Sequence, residues 1–119
     1  MLLSEVITLL SSEIICGQDK VHLPIEFICA GDLLSDMLAF YQITASNNTL
    51  LITGLNNIQV IRTAEILDVF TIMFVRGKQP SSEVLESAKE KGIVLLVTGL
   101  SLYESCGILY SAGFRNETA

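Results

Sequence analysis

Two patterns of hydrophobic positions alternate along this chain. Largely apolar runs cover 25–30 (interrupted once, by Glu26), 50–53, 71–75 and 93–97, and each is closed by a glycine: Gly31, Gly54, Gly77 and Gly99. A run without polar alternation is the pattern of a strand buried on both faces of a parallel sheet. The glycines are spaced by 23, 23 and 22 residues, the length of one strand, one turn, one helix and one return loop. Two units share a phrase, Leu50-Leu51-Ile52-Thr53-Gly54-Leu55 and Leu95-Leu96-Val97-Thr98-Gly99-Leu100. A glycine just past a strand lets the chain turn sharply or lets another backbone approach.

Between the runs the pattern becomes helical. Residues 3–11 place Val6, Ile7, Leu9 and Leu10 on an apolar face, and Ser4 and Glu5 suit a first turn. Residues 13–16 form a short strand and 17–20 a turn. Asp32 is a natural N-cap for a helix through Met37 to Tyr41, and 46–48 is a loop. Asn56 or Asn57 caps a helix over 58–68 that is apolar around much of its circumference, and so is buried on more than one side. Residues 80–82 open a helix with Val84, Leu85 and Ala88 inward and Gly92 as its stop. Ser101 and Glu104 make a capping box for a helix running to about Ala112, with Gly113 as the stop. Gly107 inside that helix costs about 1 kcal/mol relative to alanine, and close helix packing is the reason expected for it. The tail from Arg115 is polar and frayed.

The order is αβ followed by βα four times, which implies parallel connections with right-handed crossovers. The fold class predicted is α/β: a single layered domain over 1–119, with a mostly parallel sheet of about five strands flanked by helices in two or three layers. A chain of this length buries roughly 65% of its unfolded surface and needs no metal or disulfide staple. Half of the residues are hydrophobic and only 17% are charged. A sheet covered on both faces accounts for that richness, and so does a further apolar face covered by a second subunit.

Thirteen acidic and seven basic residues give a net charge of −6, and the cations are scattered apart from Lys89 and Lys91. Phosphate backbones need clustered Lys and Arg, so nucleic acid is excluded as a partner. Cys16, Cys29 and Cys106 stand in or beside apolar sequence and read as small buried hydrophobes of a reducing compartment. With His22 as the only histidine, they supply no metal-ligand spacing, and no metal or cofactor is expected. Glu5 and Glu13 interrupt the first apolar stretch, no basic n-region precedes it, and no run reaches the ~20 apolar residues of a membrane span. A cytoplasmic protein without a membrane partner is the expectation.

Ligands of open α/β sheets bind outside the carboxyl ends of the strands. The glycines mark that edge, where Gly31, Asp32, Thr53, Gly54, Asn56, Arg76, Gly77, Lys78, Thr98, Gly99 and Ser101 gather. Capping hydroxyls, turn amides and two cations would make an anion cradle there. The same caps and glycines also serve any strand-to-helix turn, with or without a ligand. Gly77-Lys78 is not a nucleotide-binding P-loop, because Ile72 stands at the first glycine position and Gln79 follows the lysine. Asp32 with Asp36, and Glu65 with Asp68, have the spacing of solvated or capping helix residues. Ser101 and Ser35 have no base near them in sequence, and His22 stands in a loop. Tyr103 and Tyr110 lie seven apart on one helix face, as packing or dimer-surface residues do.

Ile28-Cys29-Ala30-Gly31-Asp32-Leu33-Leu34-Ser35-Asp36, Leu51-Ile52-Thr53-Gly54-Leu55, Arg62-Thr63-Ala64-Glu65, Val75-Arg76-Gly77-Lys78 and 92–99 together resemble stand-alone DRTGG-domain proteins of bacteria. The resemblance covers about 4–114 and implies a fold similar to the N-terminal domain of HPr kinase/phosphorylase. It also implies a regulatory, often dimeric, module. Thr53 and Gly54 match the name-giving motif, whereas Leu55 stands at its second glycine and no Asp-Arg pair precedes it near 46–48. Kinase activity would require a P-loop domain that this sequence lacks.

The function expected is a non-enzymatic regulatory or sensor module. It would bind a small anionic metabolite or nucleotide at the strand ends, as a homodimer. The alternatives are a structural module that docks another polypeptide without a ligand, and, last, a small enzyme.

Overall fold

The computed structural model describes residues 1–41 and 48–115. Five strands form one sheet: β1 (Glu13–Cys16), β2 (Phe27–Ala30), β3 (Thr49–Thr53), β4 (Thr71–Phe74) and β5 (Val94–Val97). Their order is β1-β5-β4-β3-β2. Strands β2 to β5 are mutually parallel and adjacent in chain order, and β1 runs antiparallel along β5. Among the described residues five α-helices complete the domain, α1 (Leu3–Leu9), α2 (Leu34–Tyr41), α3 (Ile58–Leu67), α4 (Ser82–Lys91) and α5 (Leu102–Ser111), with one 3-10 turn at Gln18–Lys20.

The continuous apolar runs have a direct cause. Strands β3, β4 and β5 are buried at every position, because helices cover both faces of the sheet. On one face Leu51, Ile72, Phe74, Leu95 and Val97 pack with Val60, Ile61 and Ala64 of α3 and Val84 and Ala88 of α4. On the other, Leu50, Ile52, Met73, Val94 and Leu96 pack with Leu3 and Val6 of α1 and Leu109 of α5. The domain is therefore three-layered, with α2, α3 and α4 on one side and α1 and α5 on the other.

The helix ends follow local chemistry. Asn57 Oδ1 accepts from the Gln59 N–H, Ser81 Oγ from the Val84 N–H, and Ser101 with Glu104 forms the capping box. Gly92 closes α4 in the left-handed region, at φ 69°, and Asp68 closes α3 in the same region, at φ 60°. The Lys20 ammonium donates to the Gly92 carbonyl, placing a cation at the negative end of α4.

Two expectations need correction. Asp32 does not cap α2: the helix starts at Leu34, the Leu33 carbonyl accepts the Met37 N–H, and the Asp32 carboxylate turns to the neighbouring strand end instead. Gly107 is not a site of close packing within the chain, since a Cβ there would meet no atom within 4 Å. Of the expected frayed tail at 115–119 all but Arg115, and of the expected loop at 46–48 all but Asn48, lie outside the described residues.

Candidate functional site

Because β2 to β5 are parallel, all four glycine-bearing turns open on one edge of the sheet. The chain leaves β4 for α4 on one face and leaves β5 for α5 on the other. Diverging connections of that kind open the crevice in which α/β sheets hold ligands. Here the chain itself bridges it. The Arg76 N–H donates to the Leu100 carbonyl at 2.8 Å, and the Gly77 N–H donates to the Thr98 carbonyl at 2.8 Å.

Those bonds hold an unusual turn. Arg76 and Gly77 both take positive φ, 58° and 69°, and the Lys78 N–H returns to the Val75 carbonyl at 3.2 Å. Two positive-φ central residues mark a type I′ turn, whose first central position favours Asn, Asp or Gly. Arginine there costs about 1–2 kcal/mol. Of the four edge glycines only Gly77 uses left-handed freedom.

The next turn, after β3, gathers the other charged groups. Asp32 Oδ1 accepts from the Gly54 N–H at 2.6 Å and from the Thr53 hydroxyl at 3.1 Å, while Thr53 Oγ1 also accepts from the Leu55 N–H at 3.1 Å. The Lys78 ammonium donates to the Gly54 carbonyl at 2.9 Å. Asn56 Nδ2 donates to the Gln79 carbonyl at 3.1 Å, which ties the β3 and β4 turns together. A Cβ on Gly54 would stand 3.3 and 3.4 Å from the two Asp32 oxygens and 3.5 Å from Arg76 Nη2. The absent side chain thus leaves a notch with a carboxylate on one wall and a guanidinium on the other. Among the described residues, neither Asp32 Oδ2 nor the Arg76 guanidinium has a hydrogen-bond or ion-pair partner.

The edge residues named from sequence therefore divide into two groups. Asp32, Thr53, Gly54, Asn56, Arg76, Gly77 and Lys78 share one continuous network over the ends of β2, β3 and β4, with the Gly31 N–H held by the Ile52 carbonyl at their margin. Thr98 is buried and donates to the Leu10 carbonyl, and Ser101 is committed to capping α5. Gly99 is exposed, with nothing near its Cβ position. Gln79 and Leu100, and Thr98 by its carbonyl alone, enter the network through main-chain carbonyls, which leave no mark on a sequence.

Elsewhere, burial pushes the Cys29 thiol up to about 12 and raises Cys106 as well. Neither is poised as a nucleophile. Cys106 borders a cavity of about 220 Å³ between β2 and α5, beside Ile28, Leu109 and Phe114. On the outer face of α5, Tyr103 is 88% exposed and Tyr110 is 60% exposed, with the Arg115 guanidinium 3.8 Å above the Tyr110 ring. Among the described residues no cluster of three or more His, Cys, Asp and Glu side chains is placed to hold a metal ion. No helix there is long and apolar enough to cross a membrane.

No protein-family model and no curated protein matches the chain. A similar solved structure is that of the CBS and DRTGG domains of the regulatory region of Clostridium perfringens pyrophosphatase, complexed with its activator diadenosine tetraphosphate. The TM-score is 0.70 at 18% identity, over 90% of this chain and 45% of that one. The fold is thus a DRTGG-like α/β fold, and the chain spans less than half the length of that neighbour.

Proposed function

We propose that this chain is a non-enzymatic regulatory or sensor module of the cytoplasm, and that it binds a small anionic metabolite or nucleotide at the carboxyl edge of its sheet. The observation that carries this reading is Arg76. Its guanidinium is unpaired among the described residues and exposed, and it is displayed from a turn where arginine is conformationally costly. Lys78 lies beside it, so the edge offers positive charge on a chain whose net charge is −6. The similar pyrophosphatase region is regulatory and is complexed with a nucleotide activator, which agrees with this reading. A kinship with the N-terminal domain of HPr kinase/phosphorylase would carry the fold alone, since phosphoryl transfer needs a phosphate-cradling loop that Ile72 and Gln79 break.

The test is a thermal-shift and calorimetric screen with AMP, ATP and diadenosine tetraphosphate against the unaltered chain, Arg76→Asn and Lys78→Met. A ligand at 100 times its Kd stabilises the fold by about 2.7 kcal/mol. A rise in Tm with the unaltered chain that shrinks in both variants is the expected result. No shift with any of them overturns the ligand reading.

The exposed Tyr103 and Tyr110 favour a second element of the reading, a homodimer built on the outer face of α5. Sedimentation at micromolar concentration should give twice the 13.0 kDa chain mass, and a 13.0 kDa species alone overturns it. Recovery of a different stoichiometric polypeptide from native cells would instead support a docking module without a ligand.

A further inference from the structure

We infer that Asp32 is a specificity-determining residue of this edge: its free carboxylate oxygen accepts a sugar hydroxyl of a nucleoside phosphate whose phosphate is held by Arg76. The inference rests on the ligand reading above and narrows it from small anions in general to nucleotides with an intact ribose.

The Gly54 N–H, which a phosphate would otherwise use, already donates to Asp32 Oδ1, together with the Thr53 hydroxyl. The edge is therefore no plain anion cradle. A bare anion seated over Gly54 would meet the Asp32 carboxylate as well as the Arg76 guanidinium, and the like charge offsets much of the attraction. A ligand suited to both walls must carry a donor and an anion close together. Ribose hydroxyls beside a phosphate are such a pair, and an acidic side chain at a strand end is a known way of holding a ribose.

The site is also preorganised for this task. Asp32 is anchored through Oδ1 alone, so Oδ2 is held in one direction without a partner among the described residues. The Arg76 main chain is fixed by its two-point stitched turn, which sets where the guanidinium is displayed. Gly54 keeps the space between them open, since a Cβ would stand within 3.5 Å of both side chains. Groups already oriented lose little freedom on binding.

The experiment is calorimetry on the full chain with three probes: ATP, 2′,3′-dideoxy-ATP and inorganic tripolyphosphate. Each is titrated into the unaltered chain, Asp32→Asn and Arg76→Asn. ATP is expected to bind at least about tenfold tighter than the other two, the size of a charge-assisted hydrogen bond. Asp32→Asn should cost ATP that factor while dideoxy-ATP and tripolyphosphate, which gain nothing from the carboxylate and are repelled by it, bind no more weakly than before, whereas Arg76→Asn should weaken all three. Equal binding of ATP and dideoxy-ATP to the unaltered chain, a comparison that needs no variant to fold, overturns the role of Asp32. Tightening of ATP and tripolyphosphate alike by Asp32→Asn overturns it too, because the carboxylate would then only repel. Both of those results leave the ligand reading standing, whereas no binding of any probe overturns both.

Discussion

The Thr98 hydroxyl donates to the Leu10 carbonyl at 2.7 Å, across 88 positions of sequence and in a fully buried setting. This bond joins the end of α1 to the end of β5 and satisfies a carbonyl that the helix leaves without an intrahelical partner. The Thr98 hydroxyl is thus a strut between α1 and β5. Thr98→Val keeps the shape but strands the Leu10 carbonyl and the Leu100 N–H, which donates to the same hydroxyl at 3.3 Å, so it should cost about 1–3 kcal/mol. Urea denaturation should show that loss, with nucleotide affinity unchanged.

Arg76→Asn should have the opposite signature. Asparagine tolerates the left-handed region that Arg76 occupies at φ 58°, so the variant should gain about 1 kcal/mol of stability. Any ligand held by the guanidinium should be lost at the same time. A fall in Tm would mean that the arginine side chain supports the turn, not a ligand.

Gly54 and Gly99 separate the two halves of the edge. Neither takes positive φ, so alanine fits the backbone at both. Gly99→Ala meets nothing within 4 Å and should be neutral or stabilising by about 0.4–1 kcal/mol. Gly54→Ala places a methyl 3.3–3.5 Å from Asp32 and Arg76, contacts that an adjustment of a few tenths of an ångström relieves. The fold should survive and the notch should not. Chemical denaturation of both variants, paired with ATP titration, distinguishes them.

Legibility from sequence ran out at main-chain contacts. The runs 50–53 and 93–97 announced buried parallel strands because helices on both faces leave them no polar side, and Ser101, Asn57 and Gly92 announced helix ends through capping chemistry. Asp32 looked like a cap, because a short acidic side chain just before a helix usually is one. Its true partner, the Gly54 amide, is brought alongside only by β2–β3 pairing. The strain at Arg76 was equally hidden, since Arg-Gly does not announce a type I′ turn and the carbonyls of Thr98 and Leu100 that hold it belong to another strand end. Thr53 and Thr98 occupy the same place in the repeated phrase, yet one meets a carboxylate and the other a helix carbonyl.

Cys29 sets an alkaline limit. Burial raises its thiol from 9.0 to about 12, so the unfolded chain gives up that proton first as pH rises. The folded state holds the extra proton, and stability present below about pH 9 is lost progressively toward pH 12. Unfolding free energies measured from pH 8 to 11 should therefore fall less steeply in Cys29→Ala than in the unaltered chain. Parallel slopes would show that Cys29 does not contribute.

Gly107 offers a test of what covers α5. It is exposed in the middle of the helix, flanked on the same face by Tyr103 and Tyr110, and a Cβ there meets no atom of the chain within 4 Å. Within the monomer, glycine at that position only weakens the helix, so Gly107→Ala should add about 1 kcal/mol of stability. That gain is expected in guanidinium denaturation at submicromolar concentration, where an assembly of modest affinity has dissociated. If two copies meet along α5, the added methyl intrudes between them, and sedimentation at higher concentration should show a weakened dimer in the same variant. A gain in monomer stability together with a loss of self-association places Gly107 at the interface. A gain with self-association unchanged places the dimer contact on another face.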